Sequence, residues 1–104
     1  MKTTTLVFDL DGVICEERPT FERALAKPIA GSREIINLLY SRGYKILIYT
    51  GRGWAEYEMT KDWLVKNGIL FHQLIMGKPV GDVWIDDRAI EFKDWEDVWT
   101  RLEG

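Results

Sequence analysis

Thr5-Leu6-Val7-Phe8-Asp9-Leu10-Asp11-Gly12 is the stretch on which the fold turns. A short, nearly continuous apolar run stops at an acid, as expected of a strand covered on both faces. Lys45-Ile46-Leu47-Ile48-Tyr49 repeats the pattern and stops at Thr50. Residues 71–76 and Val83-Trp84-Ile85 are two further strand candidates, the last followed at once by Asp86-Asp87.

Helical patterns fill the intervals. Ser32 is a plausible N-cap for a helix over 33–42, with Gly43 as its stop and Ile35, Ile36, Leu38 and Leu39 as its apolar stripe. A second helix is expected from about 54 to 67, where Ala55, Met59 and Trp63 lie four apart and Gly68 ends the run. A third begins after Asp94, with Trp95, Val98, Trp99 and Leu102 at helical spacing. Strands alternating with helices predict an α/β fold with a central parallel sheet and right-handed crossovers. Residues 12–31, with Pro19 and Pro28, form the irregular part.

Bulk properties narrow the function classes. The 104 residues suit a single domain, 1–104, and 46% hydrophobic with 30% charged residues is ordinary for a globular protein. A net charge of −3 without a basic run disfavours electrostatic capture of nucleic acid. The lone cysteine, Cys15, has no partner for an intramolecular disulfide, which fits a reducing compartment. The first apolar run ends at Asp9, too soon for a signal-peptide core or a membrane span. A cytoplasmic location is the expectation. The five tryptophans are read as core and interface residues.

Each strand is followed by polar residues at its carboxyl end, the edge where open α/β sheets bind ligands. Asp9 and Asp11 follow the first strand, Thr50 the second, Lys78 the third, and Asp86 and Asp87 the fourth. Carboxylates gathered on one rim repel unless a cation sits among them. Hard oxygen donors suit Mg²⁺, and Lys78 with the Thr50 hydroxyl could hold a phosphate against it. This is a phosphoryl-transfer constellation, in which positioning and charge neutralisation supply most of the catalysis.

Asp9-Leu10-Asp11-Gly12, Thr50, Lys78 and Asp86-Asp87, in that order at four strand ends, resemble the haloacid dehalogenase superfamily. The resemblance covers most of the chain. It implies a Rossmann-like three-layer sandwich and a Mg²⁺-dependent phosphomonoester hydrolase working through an aspartyl-phosphate. The family's nucleophile falls on Asp9, and its acid and base on Asp11, whose backbone carbonyl would also ligate the metal. Thr50 and Lys78 match the phosphate-binding positions, with Gly51 and Arg52 as adjoining substrate contacts. Asp86 or Asp87 completes a metal set with Asp9 and Asp11, Asp86 being favoured as the direct ligand. Neither gap between motifs has room for a cap domain, so the chain resembles the small capless phosphatases of bacterial capsule and surface-polysaccharide synthesis. A sugar phosphate is the substrate this suggests, with a homo-oligomer as one way of covering an open site. Ile85-Asp86-Asp87-Arg88 also resembles the deoxyribonucleotidase branch, whose members carry a cap.

Plainer readings stand beside these. Thr50-Gly51-Arg52-Gly53 alone would be only a strand-to-helix turn. Asp82 is read as flanking the last strand, Arg88 as pairing with nearby carboxylates, His72 as a strand-surface or core residue, and Cys15 as a small packed side chain. Arg18 and Arg23 are candidates for substrate recognition. A receiver-type phosphoacceptor domain uses similar residues, but there the acid pair comes first and the lysine last. Here Asp86-Asp87 follow Lys78.

Overall fold

The computed structural model describes residues 4–104. Three strands, β1 (Thr5–Phe8), β2 (Lys45–Tyr49) and β3 (Gln73–Ile75), alternate with helices α1 (Ser32–Ser41), α2 (Tyr57–Lys66) and α3 (Trp95–Glu103). Short 3-10 turns at Thr20–Leu25 and Trp54–Glu56 precede α1 and α2. The sheet is wholly parallel in the order β1-β2-β3, with Val7 beside Leu47 and Ile48 beside Leu74. This is the Rossmann-like α/β arrangement of a parallel sheet flanked by helices, and among the described residues there is no cap.

The core follows from the alternation of the strands. Leu6 and Phe8 share a sheet face with Ile46, Ile48 and Leu74, and all but the partly covered Leu6 are buried, with Ile36 and Leu39 of α1 and Leu64 of α2 in the same cluster. Trp95 locks α3 onto it. Its ring lies 5.3 Å from that of Phe8 and 5.5 Å from that of Phe92, and its Nε1–H donates to the Val13 carbonyl at 2.8 Å. The opposite face, carrying Val7, Leu47, Tyr49 and Ile75, is only partly covered.

Helix ends match the sequence to within a few residues, with α1 running Ser32–Ser41 and α2 starting at Tyr57 after the 3-10 turn Trp54–Glu56. Gly31, not Ser32, is the N-cap of α1, because the chain enters at φ +88°, which glycine tolerates and serine does not. A side chain at Gly31 would also meet the Trp95 Cβ at 3.1 Å. Gly43 and Gly68 leave α1 and α2 at positive φ as expected. Asp94 caps α3 by accepting the Asp97 N–H at 2.7 Å.

One expected element does not form. Val83-Trp84-Ile85 is irregular and exposed, Ile85 by 97%, and the third strand is shorter than the 71–76 run. Strand character in three apolar residues is realised only through a ladder partner. Flanked by Asp82 and Asp86-Asp87, this run gains few ladder bonds to offset bringing acids beside the end of β1. In consequence β1 pairs with β2 alone among the described residues, and its Val7 is 58% exposed.

Replacing Trp95 with alanine should cost about 3–5 kcal/mol, from lost packing and an orphaned carbonyl at Val13. Urea unfolding of the two proteins measures it. A loss under about 1 kcal/mol would mean that α3 contributes little to the core.

Candidate active site

The end of β1 divides its residues by alternation. Leu10 points into the core and is fully buried, so Asp9 and Asp11 on either side of it emerge at the rim. A tight turn follows, in which Val13, Ile14 and Cys15 all donate their N–H groups to the Leu10 carbonyl and Gly12 takes φ +83°. Asp9 Oδ1 accepts the Leu10 N–H at 2.8 Å, while Oδ2 lies 3.8 Å from Lys78 Nζ. The Lys78 ammonium also sits over the Trp84 ring, 4.9 Å from its centre.

The ends of β2 and β3 are knitted together. Thr50 N–H donates to the Ile75 carbonyl at 3.0 Å, Lys78 N–H to the Thr50 carbonyl at 2.9 Å, and Gly77 N–H to the Arg52 carbonyl at 2.9 Å. The Thr50 side chain is buried and its Oγ1 accepts the Arg52 N–H at 3.2 Å, closing the turn.

Arg52 is the most constrained group here. Only 4% exposed, it grips Asp11 with two prongs, Nε to Oδ2 at 3.0 Å and Nη2 to Oδ1 at 2.7 Å. Its Nη1 donates to Thr60 Oγ1 on α2 at 3.0 Å. Burial of Asp11 pushes its pKa up, but the Arg52 hydrogen bonds and charge outweigh this, and the carboxyl titrates below its usual range. Cys15 responds oppositely. Burial, and then the Asp11 charge, push its thiol up to about 12, so it is no nucleophile near neutral pH.

Asp9, Asp11, Gly51, Arg52 and Lys78 therefore line one open cleft of about 430 Å³, together with Glu17, Arg23, Pro79, Val80, Gly81 and Trp84. Thr50 lies behind the cleft. Arg23 Nη1 donates to both carboxylate oxygens of Glu56, at 2.8 and 2.7 Å, and its Nε has no partner. Arg18 pairs with Glu16, away from the cleft lining. His72 is structural: Nδ1 accepts the Ile46 N–H at 2.9 Å and the ring stacks on Tyr40.

Asp86 and Asp87 are not brought in. Asp86 Oδ1 accepts the Arg88 N–H at 2.7 Å in an exposed turn, and Asp87 lies 3.9 Å from the Arg88 side chain. Among the described residues no three histidine, cysteine or acidic side chains converge closely enough to hold a metal ion. The donor types suit Mg²⁺, but in this conformation their placement does not fit it. Glu17, Trp84 and Thr60 are the members that sequence reasoning missed. Thr60 and Trp84 meet the site through contacts that nothing in their local sequence announces.

No family model matches the chain, and no curated protein does. Solved structures share its fold. A target protein from Vibrio cholerae superposes with a TM-score of 0.74 at 22% identity, covering 97% of this chain and 98% of that one. A chain of the Pnkp1/Rnl/Hen1 complex gives 0.64 at 21% identity, covering 97% of this chain and 34% of its own length. D,D-heptose 1.7-bisphosphate phosphatase from B. bronchiseptica, complexed with magnesium and phosphate, gives 0.55 at 18% identity, covering 98% of this chain and 65% of that one. At these identities the likeness is one of fold, consistent with the haloacid dehalogenase-like architecture that the motifs resemble.

Two outcomes follow from the ion pair. The folded-state pKa of Asp11 lies below its unfolded value, so its contribution is present above about pH 4 and is lost as the pH falls through the folded pKa. Arg52→Met should cost about 2–4 kcal/mol at neutral pH and flatten the acid limb of the stability profile, as read by urea unfolding from pH 7 to 3. An unchanged acid limb would mean that the pair does not set the Asp11 titration. Native protein should also react with iodoacetamide far more slowly than urea-unfolded protein, as mass spectrometry of the Cys15 peptide would register.

Proposed function

We propose that the protein is a Mg²⁺-dependent phosphomonoester hydrolase in which Asp9 is the nucleophile and Asp11 moves the proton. The observation that carries this is the Asp9 carboxylate in the cleft, one oxygen fixed by the Leu10 N–H and the other facing the Lys78 ammonium at 3.8 Å. That geometry leaves one oxygen free to attack and puts a cation where a phosphoryl group would bring negative charge. Asp9 Oδ2 forms the bond to phosphorus as the ester oxygen departs. Water then cleaves the aspartyl-phosphate, releasing phosphate and regenerating Asp9.

Asp11 supplies the proton to the departing oxygen and recovers it from the attacking water. Its fixed carboxylate suits the second half of the cycle directly. In the first half Arg52 favours the charged form, so protonation of a poor leaving group is the harder step. Arg52 acts through Asp11 and is a positioning residue. Bound Mg²⁺ would neutralise phosphate charge, and no step is assigned to it in this conformation.

The substrate class we favour is a sugar phosphate. The open, capless cleft and the shared fold with a heptose bisphosphate phosphatase support it. No helix among the described residues is long and apolar enough to cross a membrane, and the reading includes a cytoplasmic location.

Phosphate release from an aryl phosphate with Mg²⁺ tests the proposal. Activity should vanish on chelation, and Asp9→Asn should lower turnover at least ~10³-fold while the fold persists by circular dichroism. Near-native turnover in Asp9→Asn would overturn the covalent route. Asp11→Asn should lose ~10²–10⁴-fold on an alkyl phosphate and much less on the aryl ester. Equal losses on both would remove Asp11 from proton transfer.

A further inference from the structure

Two polar side chains of the cleft wall take no part in the chemistry proposed above. Arg23 gives Nη1 to both oxygens of Glu56, at 2.8 and 2.7 Å, and its Nε and Nη2 have no acceptor among the described residues. That Nε–Nη2 edge is the one with which Arg52 grips Asp11. Glu17 lines the same cleft, and the ion pairs of its wall, Arg18 with Glu16 and Glu22 and Arg23 with Glu56, pass it by. One cleft therefore holds unpartnered guanidinium donors and a carboxylate with no cation of its own.

Both side chains stand on the Asp11 side of the site. A side chain at Gly12 would meet Glu17 Oε1 at 3.3 Å, so that carboxylate lies over the turn just after Asp11. Burial raises the Asp11 pKa, and the Arg52 hydrogen bonds and charge, then the Arg23 charge, lower it, so Asp11 feels Arg23 as well. In the proposed reaction Asp11 hands a proton to the departing oxygen. The group attached to that oxygen is then the part of the substrate nearest Glu17 and Arg23, with the phosphoryl group towards Asp9 and Lys78.

We propose that Arg23 and Glu17 select a substrate whose leaving group is a neutral polyol such as a sugar, one hydroxyl accepting from the unpartnered donors of Arg23 and a neighbouring hydroxyl donating to Glu17. This rests on the hydrolase reading above and narrows its sugar phosphate to a monophosphate.

Charge decides against a second anionic group. The Arg23 charge is matched by Glu56, and Glu17 adds a further negative charge. A carboxylate or a phosphate dianion here would meet a net negative wall and could donate nothing to Glu17. A polyol adds no charge and both gives and accepts hydrogen bonds, so it satisfies the two side chains together. The wall is fastened well enough to hold that geometry. Ala26 is buried, its carbonyl accepts the Trp63 Nε1–H at 2.8 Å, and Glu16 Oε1 accepts the Lys27 N–H at 3.1 Å. At about 430 Å³ the cleft has room for a ring beyond the phosphoryl group.

Steady-state kinetics with Mg²⁺ reads the selection. The probes are the 1-phosphates of glucose, galactose and mannose, their 1,6-bisphosphates, and cyclohexyl phosphate, a ring of the same size without hydroxyls. Native protein should favour the best hexose monophosphate over cyclohexyl phosphate, and over its own bisphosphate, by ~10-fold or more in kcat/KM. Arg23→Lys keeps the charge beside Glu56 and loses the second donor edge. It should lower kcat/KM for that monophosphate ~10-fold further than for cyclohexyl phosphate, chiefly through KM, with the fold intact by circular dichroism. Glu17→Gln should shrink the preference over the bisphosphate. Equal losses on the two rings in Arg23→Lys, no native preference for a hexose monophosphate, or a native preference for the bisphosphate would each overturn the proposal and leave the hydrolase reading standing. If no substrate shows Asp9-dependent turnover, the hydrolase reading falls and calorimetric titration of the same monophosphates decides the subsite. Binding weakened ~10-fold by Arg23→Lys would support it, and binding that is absent or indifferent to Arg23 would overturn it.

Discussion

The two-pronged grip of Arg52 on Asp11 ties together three parts of the chain that are far apart in sequence. Asp11 leaves β1, Arg52 leaves β2, and Thr60, which receives the third donor, lies on α2. Desolvating a guanidinium costs several kcal/mol, and only a partner of matched geometry recovers it. Here the partner is the carboxylate that would move the proton. Holding the buried cation in place thus fixes where that carboxylate points and which charge state it prefers. The same field reaches Cys15, whose Sγ lies 3.6 Å from Asp11 Oδ1. One ion pair therefore sets the orientation of the acid and the attachment of α2 to the rim.

Charge accounting at the cleft then determines what else the site needs. Arg23 is occupied by Glu56 and Arg52 by Asp11, which leaves Lys78 as the cation facing Asp9. Glu17 adds a further acid to the lining. A phosphate dianion entering this space would meet more negative charge than one ammonium offsets, and each unit-charge pair at 4 Å is worth about 4 kcal/mol near a protein surface. In the proposed function a divalent cation would be the compact remedy.

Where the sequence was legible, the signal was local. The continuous apolar runs of β1 and β2, the stripe of α1, the Asp94 cap and the glycine stops each encode their own structure within a few residues. Strand-end position likewise brought Asp9, Asp11, Gly51, Arg52 and Lys78 to one cleft. What escaped depends on distant partners. Val83-Trp84-Ile85 has strand composition, but a ladder also needs a neighbour and a tolerable charge balance. Thr50 stands at the expected rim, yet its hydroxyl holds the turn to Arg52 rather than lining the cleft. Arg52 is legible in the sequence as a basic residue just after β2, and so as a candidate substrate contact. That it is spent on an acid 41 residues earlier is a fact of packing, with no local trace.

Loop length alone does not tell how firmly a segment is tied to the core. Residues 12–31 form the longest irregular stretch before α1, and a mobile flap would be the natural guess. They are instead fastened at several points. Cys15 bridges to both Asp11 and Pro28, Ile29 N–H donates to the Ile14 carbonyl at 2.8 Å, and Trp63 Nε1–H on α2 donates to the Ala26 carbonyl at 2.8 Å. Ile14, Cys15 and Ala26 are buried in the core. This segment presents Glu17 and Arg23 to the cleft from a fixed wall. The opposite wall, Pro79 to Gly81 with Trp84, has no comparable anchorage between Lys78 and α3 and is exposed throughout. The cleft thus has one wall of polar side chains fastened to the core and one exposed, largely apolar wall that leads into the segment carrying Asp86 and Asp87.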